Sequence, residues 1–269
     1  MPIDITSRIA FALPQPTDVL LQFEAADMAR QRIITSETRL GEPLHCTRVP
    51  AQHGVGERIW MQAVGRVVIE YAAQVETDHA PADLAQLPRM ELYDLPGEAT
   101  EFLFDSRYCH LEPLHDFVTE TFDGLFGGTR VLAMRDWIAG NLSYERGSSD
   151  ANTTATHTLD HRRGICRDYA HVMIAFARAS GIPARYVSCY APGVDPQDFH
   201  AIAEVFLADP VIPGLGAWQL VDATHMADPA STVRIGVGRD AADVSFLTVF
   251  GAAEFERPEV TVRELAEAV

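Results

Sequence analysis

The stretch RRGICRDYAH, residues 162–171, decides how this chain is read. From Cys166 onward, CRDYAHVMIAFARAS carries apolar residues at helical spacing, and the pattern stops at Gly181 with Pro183 close behind. The spacing predicts a helix whose first turn begins at Cys166. Unpaired backbone N–H groups at a helix start present partial positive charge, which favours a thiolate over a thiol. Gly164 permits an unusual backbone on entry, so the sulfur can face a cleft. The same N–H groups can receive the oxyanion of a tetrahedral intermediate. Asp168 falls in this turn, where its charge complements the helix dipole, and we read it as structural or site-supporting.

A thiolate nucleophile needs a proton carrier, and two later segments that read as strands supply one. In FHAIAEVFL, His200, Ile202, Glu204 and Phe206 share one face; in WQLVDAT, Trp218, Leu220 and Asp222 share another. An antiparallel hairpin closed by DPVIPGLG, with His200 opposite Asp222, places Phe206 opposite Gly216. Directly opposed side chains stand ~4.5–5.5 Å apart at Cβ. Asp222 then accepts a hydrogen bond from the His200 ring and fixes its tautomer, leaving the other ring nitrogen for the sulfur. Glu204 is expected to assist electrostatically or to pair with an arginine.

In sequence order, GICRDYAHVMIAFARASGIPARYVSCY, then DFHAIAEVFL, then WQLVDATH resemble the transglutaminase-like superfamily, and its bacterial branch of candidate cysteine proteases in particular. DSRYCHLEP upstream and IGVGRDAADVSF downstream extend the likeness, as does a strand-rich N-terminal portion. The resemblance implies a papain-like core in which Cys166 is the nucleophile, His200 the acid and base, and Asp222 the residue that orients His200. It implies acyl transfer from a peptide or carboxamide through a thioester, resolved by water or by an amine, with a peptide or protein substrate and no cofactor. Two positions depart from the family pattern. Ile202 stands where an aromatic residue often follows His-Ala, and Ala223 where a proline often follows the aspartate. Trp137 and Tyr144 are candidates for a side-chain oxyanion donor by position upstream of the nucleophile.

The fold class read from the pattern is α+β. Residues 1–97 form a β-sandwich-like domain, with DITSRIAFAL alternating and ERIWMQAVGRVVIEYAAQVE a long β-rich run in which Gly65 marks a turn or bulge. FEAADMARQ is open to a short-helix reading. Residues 98–269 form the catalytic core: helical patterns in LEPLHDFVTETFDGLF, TRVLAMRDWIAGNL and ANTTATHTLDHRR precede Cys166, and strands ARYVSCY, FHAIAEVFLA and AWQLVDAT follow it.

Composition bounds the rest. The formal charge of −17 over 269 residues disfavours nucleic acid and anionic membrane as partners. No apolar run is long enough to span a bilayer. The first residues lack the layout of an export signal, and Cys46, Cys109, Cys166 and Cys189 show no CxxC spacing, so we expect a cytoplasmic protein with free thiols. His157, His161, Cys166 and His171 raise a zinc reading, but Gly164 and the new helix start interrupt their geometry, and no metal is expected. Arg239, Asp240 and Asp243 read as ion pairs and caps. Two alternatives stand beside the leading one. Arylamine N-acetyltransferases also order Cys, His and Asp, although they carry two glycines before the cysteine and RRGICRD has one. A non-catalytic module could use the same cleft to hold a peptide. Oligomeric state is not legible in the sequence.

Overall fold

The computed structural model describes residues 2–79 and 82–265. Two long strands dominate its first half. β1 (Pro2–Leu21) and β4 (Glu57–Thr77) pair antiparallel along almost their whole lengths. Their inward alternation, Ile3, Ile5, Ile9, Phe11 and Leu13 against Ile69, Tyr71 and Val75, buries one face. Gly65, with φ of 76°, lies opposite Leu13 at the register break between Leu13 and Thr17, so the anticipated irregularity is a bulge within one strand pair. β2 (Gln31–Arg39) and β3 (His45–Pro50) pair with opposite ends of β4. FEAADMARQ is not helical; it ends in an isolated bridge between Met28 and Gln31, and the Tyr71 hydroxyl accepts the Ala25 N–H at 3.0 Å.

The free edge of β1 is completed from the far end of the described chain. β11 (Leu247–Val249), β12 (Glu254–Phe255) and β13 (Glu259–Glu264) each pair antiparallel with β1, giving a seven-stranded sheet. The sequence pattern groups everything after residue 97 with the second unit; residues 247–264 instead hydrogen-bond into the first. Left alone, that edge would present a long row of unpaired N–H and C=O groups. The two ends of this one sheet share a single buried cluster, which holds Ile5 and Val75 together with Leu21 and Ile59.

Helices α1 (Gly97–Thr100), α2 (His115–Thr121), α3 (Gly127–Asn141), α4 (Ala155–His161) and α5 (Cys166–Ala179) come next along the chain. A two-residue parallel pair joins β5 (Ser143–Tyr144) to β6 (Arg163–Gly164). The second sheet contains β7 (Ala184–Tyr190), β8 (His200–Ala208), β9 (Gly216–Val221) and β10 (Val233–Gly238), in the antiparallel order β10-β7-β8-β9. α5 is buried from Asp168 through Arg178 because it is wrapped on all sides. Ala184, Ala201, Ala203 and Val205 meet it from the sheet, and Val131, Met134 and Ile138 of α3 belong to the same cluster. Small residues on the sheet let the helix approach closely, and each large side chain it buries, such as Ile174 or Phe176, is worth about 1.5–3 kcal/mol. α5 ends at Ser180, with Gly181 at φ of 68° and the Ile182 N–H returning to the Ala177 carbonyl.

The two sheets share a core. Tyr190, Val233 and Ile235 of the second lie in the buried cluster of the first, and the Tyr190 hydroxyl donates to the Phe23 carbonyl at 2.6 Å. Gln31 clamps the junction: its amide donates to the Ala26 and Arg234 carbonyls and accepts the Arg234 N–H. Among the described residues no helix is long and apolar enough to cross a membrane.

Candidate active site

Ile165 is the N-cap of α5, which makes Cys166 the first residue of the helix. The turn into it is held by Asp168, whose buried carboxylate accepts the Ile165 N–H at 2.8 Å and pairs with Arg167 at 3.0 Å. Gly164 is required beside this carboxylate: a Cβ there would stand 2.7 Å from Asp168 Cβ and 3.2 Å from Thr158 Cγ2. The β5–β6 pair sets Tyr144 opposite Gly164, and the Glu145 N–H bonds the Gly164 carbonyl at 2.9 Å, so Tyr144 lies along the entry to the turn that holds Cys166.

Cys166 is half-buried and opens into a cleft of about 770 Å³ that His200, Tyr144, Tyr186 and Ser188 also line. Its far wall comes from the returning C-terminal segment, including Phe246, Thr248 and Pro258, and Phe246 stacks on Phe199 with centroids 4.7 Å apart. The other thiols are placed differently. Cys109 and Cys189 are fully buried, and burial raises the pKa of both, to about 12 for Cys109; Cys46 is exposed on β3.

The His200 ring donates from Nε2 to the Asp222 carboxylate at 3.0 Å, both side chains being buried. Nδ1 is buried and makes no other hydrogen bond, which leaves it for the sulfur. Burial disfavours charge on the ring, but the hydrogen bond to Asp222 and the charges of Asp222 and Cys166 outweigh it and hold the His200 pKa at about 10. Asp222 is placed by a hairpin whose register differs from the expected one. β8 and β9 pair Phe206 with Trp218 and Ala203 with Val221, two residues away from the Phe206–Gly216 pairing. A slip of two residues equals the side-chain period, so the face is unchanged and Asp222 reaches His200 diagonally from just past the end of β9.

The cradle around the Asp222 carboxylate was not legible in the sequence. The chain curls around it: Thr224 donates its N–H at 2.8 Å and its hydroxyl at 2.8 Å, Met226 its N–H at 3.1 Å and Ala227 its N–H at 2.7 Å. Burial alone would raise the Asp222 pKa; the bond to His200 and its charge, with the donors at Ala227 and Thr224, bring it below the ordinary value. An aspartate at a strand end with a threonine two residues on is the available signal, since Asp commonly accepts from backbone at that spacing.

The remaining expected residues fall in three groups. Tyr144 is in the cleft, and burial together with the charge of Cys166 pushes its hydroxyl pKa up. Trp137 is packed away from the cleft between Phe117 and Phe176, with Arg162 over its ring, which leaves Tyr144 as the cleft-lining member of the pair. Glu204 is fully buried between Arg185 at 2.7 Å and Arg234 at 2.6 Å, outside the cleft. Ile202 is buried with Val187 and Leu220 and does not line the cleft either. Arg239 and Asp243 form an ion pair at 2.8 Å, and Asp240 accepts the Tyr108 and Ala242 N–H groups. The histidines of the zinc reading are separated: His161 bonds the His157 carbonyl on α4, and His171 is buried against Tyr108.

Comparison with known proteins defines the family and the fold. The model of the transglutaminase-like superfamily core matches residues 119–223. A crystal structure described as a candidate cysteine protease from Cytophaga hutchinsonii superposes with a TM-score of 0.89 at 30% identity, covering 100% of this chain and 92% of that one. An uncharacterized protein of Mycobacterium tuberculosis is 34% identical over 166 residues, 56% of this chain and 51% of its own. One from Mycobacterium leprae is 29% identical over 119 residues, 43% of this chain and 42% of its own. The chain thus spans about half the length, or less, of the curated relatives it matches. The chain belongs to the transglutaminase-like superfamily.

Proposed function

We propose that the chain is a thiol enzyme that cleaves or transfers the acyl group of a peptide or carboxamide bond. One observation carries the reading: Cys166, at the first position of a buried helix, shares a cleft with a histidine whose far nitrogen is bonded to a carboxylate. The Cys166 sulfur attacks the carbonyl carbon, and the oxyanion forms beside the N–H groups of the first turn of α5. The C–N bond then breaks as His200 gives its proton to the departing amine, leaving a thioester on Cys166. Water, or a second amine, attacks the thioester; His200 takes its proton, the C–S bond breaks and the thiolate is restored. Asp222 stays ionised throughout and holds the imidazole in line.

The raised proton affinity that Asp222 gives His200 supports this sequence, because an imidazolium is the partner of a thiolate and the donor to a leaving amine. The test uses iodoacetamide at mildly acidic pH with mass mapping of the labelled thiol. Cys166 is expected to label first, its replacement in Cys166→Ala to abolish that label, and Cys109→Ala and Cys189→Ala to leave it intact. A peptide thioester on Cys166, trapped by acid quench from a panel of acyl amides, then identifies the acyl donor. Equal labelling of all accessible thiols would sink the proposal.

A further inference from the structure

The cleft is charged against the rest of the molecule. The chain carries 38 acidic and 21 basic residues, yet Arg107, Arg146, Arg167 and Arg257 all line the cleft, with Asp198 the one carboxylate among its lining residues. Arg167 is neutralised by Asp168. Arg146 and Arg257 share Asp198, at 3.6 and 4.0 Å, and remain 39% and 64% exposed. Arg107 is exposed, rests on the Tyr108 ring at 5.2 Å and has no carboxylate partner among the described residues. Three guanidinium groups therefore line the cleft of Cys166 with a single carboxylate among them. In a chain with a formal charge of −17, such a group is not a sample of the average surface.

The identity of the cations adds to this. All basic residues of the chain are arginine; it contains no lysine. A lysine amine beside a thioester would itself be acylated, whereas a guanidinium stays protonated and is no acyl acceptor. Its planar fork also matches a carboxylate with two parallel N–H donors. Resting on the reading of Cys166 as the nucleophile, we infer that the cleft selects an anionic acyl substrate, a peptide or amide carrying a carboxylate near the bond attacked, with Arg107 and Arg257 as the recognition residues. Low-dielectric walls concentrate their field within the cleft even though the outer surface is acidic.

Iodoacetate and iodoacetamide test this, since they alkylate sulfur by the same displacement and differ in charge. The ratio of their second-order rate constants at Cys166 is read by mass mapping at one pH and low salt, with N-acetylcysteine as the reference thiol. Cys166 is expected to show the higher ratio. Arg107→Gln and Arg257→Gln are each expected to lower it by about two- to fivefold, the range for an exposed charge pair. Arg32→Gln, an exposed position on β2, should leave it unchanged. Salt at about 0.5 M should lower the wild-type ratio, which needs no variant. The His200 charge is common to all forms, so the differences isolate the arginines. A reactive Cys166 whose ratio ignores both substitutions and salt overturns the anionic preference alone; a Cys166 inert to both reagents overturns it together with the reading beneath it.

Discussion

Replacing Asp222 by asparagine keeps the shape of the side chain and removes its charge. In the native site the His200 pKa is about 10 against 6.5 for a free imidazole, a difference that favours the protonated ring by about 5 kcal/mol. Two groups produce that preference against the cost of burial, Asp222 through its hydrogen bond and charge and Cys166 through its charge. Taking away the carboxylate removes one of the two supports while the cost of burial stays, so more than half of the preference should go and the midpoint of the imidazole should fall from about 10 to below about 8. The asparagine amide cannot accept from all the donors that converge here, so the ring also loses its fixed tautomer. Turnover should drop by on the order of 10³–10⁴, the scale seen when an orienting aspartate is neutralised in a triad. Histidine NMR titration of labelled protein follows the midpoint directly, with a urea melt alongside to show that the fold is kept. A midpoint still near 10 in Asp222→Asn would refute the assignment of His200's proton affinity to this contact.

Three further outcomes are expected. Glu204→Gln removes the partner of two buried guanidinium groups and should cost about 3–5 kcal/mol in a denaturant melt, yet leave Cys166 labelling in the folded fraction intact; loss of labelling would move Glu204 into the site. Gly164→Ala places a methyl group against Asp168 and Thr158; a destabilisation of about 1–3 kcal/mol and slower alkylation of Cys166 should appear together, and unchanged alkylation would show that the entry turn does not set the sulfur. Because the folded His200 pKa lies above the unfolded value, its contribution to stability is complete below pH 6.5 and is lost as pH rises through about 10. The Tm difference between the wild type and His200→Ala should shrink across that window, and a difference independent of pH would contradict the origin given for it.

The parts of the site that depend on local pattern were legible in the sequence. A helix opening at Cys166 follows from the apolar spacing after it, and the shared face of His200 and Asp222 follows from strand alternation. That face survives the two-residue error in register because parity, not the exact partner, decides it. Non-local features were hidden. Nothing in the short segments of β11 to β13 announces that they close the edge of β1, since the sheet they join, not their own composition, makes them strands. For the same reason the cleft wall at Phe246 and Pro258 was unforeseen. Trp137 and Tyr144 looked equivalent by position; the two-residue β5–β6 pair, too short to read as a strand, separates them.

The closure of β1 by the last described strands also sets an order of events. As the chain is synthesised, Cys166, His200 and Asp222 all emerge before residue 247, while β1 still lacks three of its partners. Until residues 246–264 have emerged, the part of the cleft lining they supply is absent although those three residues are already made. Contacts of such long sequence separation form late, so a polypeptide abandoned partway through translation holds Cys166, His200 and Asp222 without the complete cleft around them.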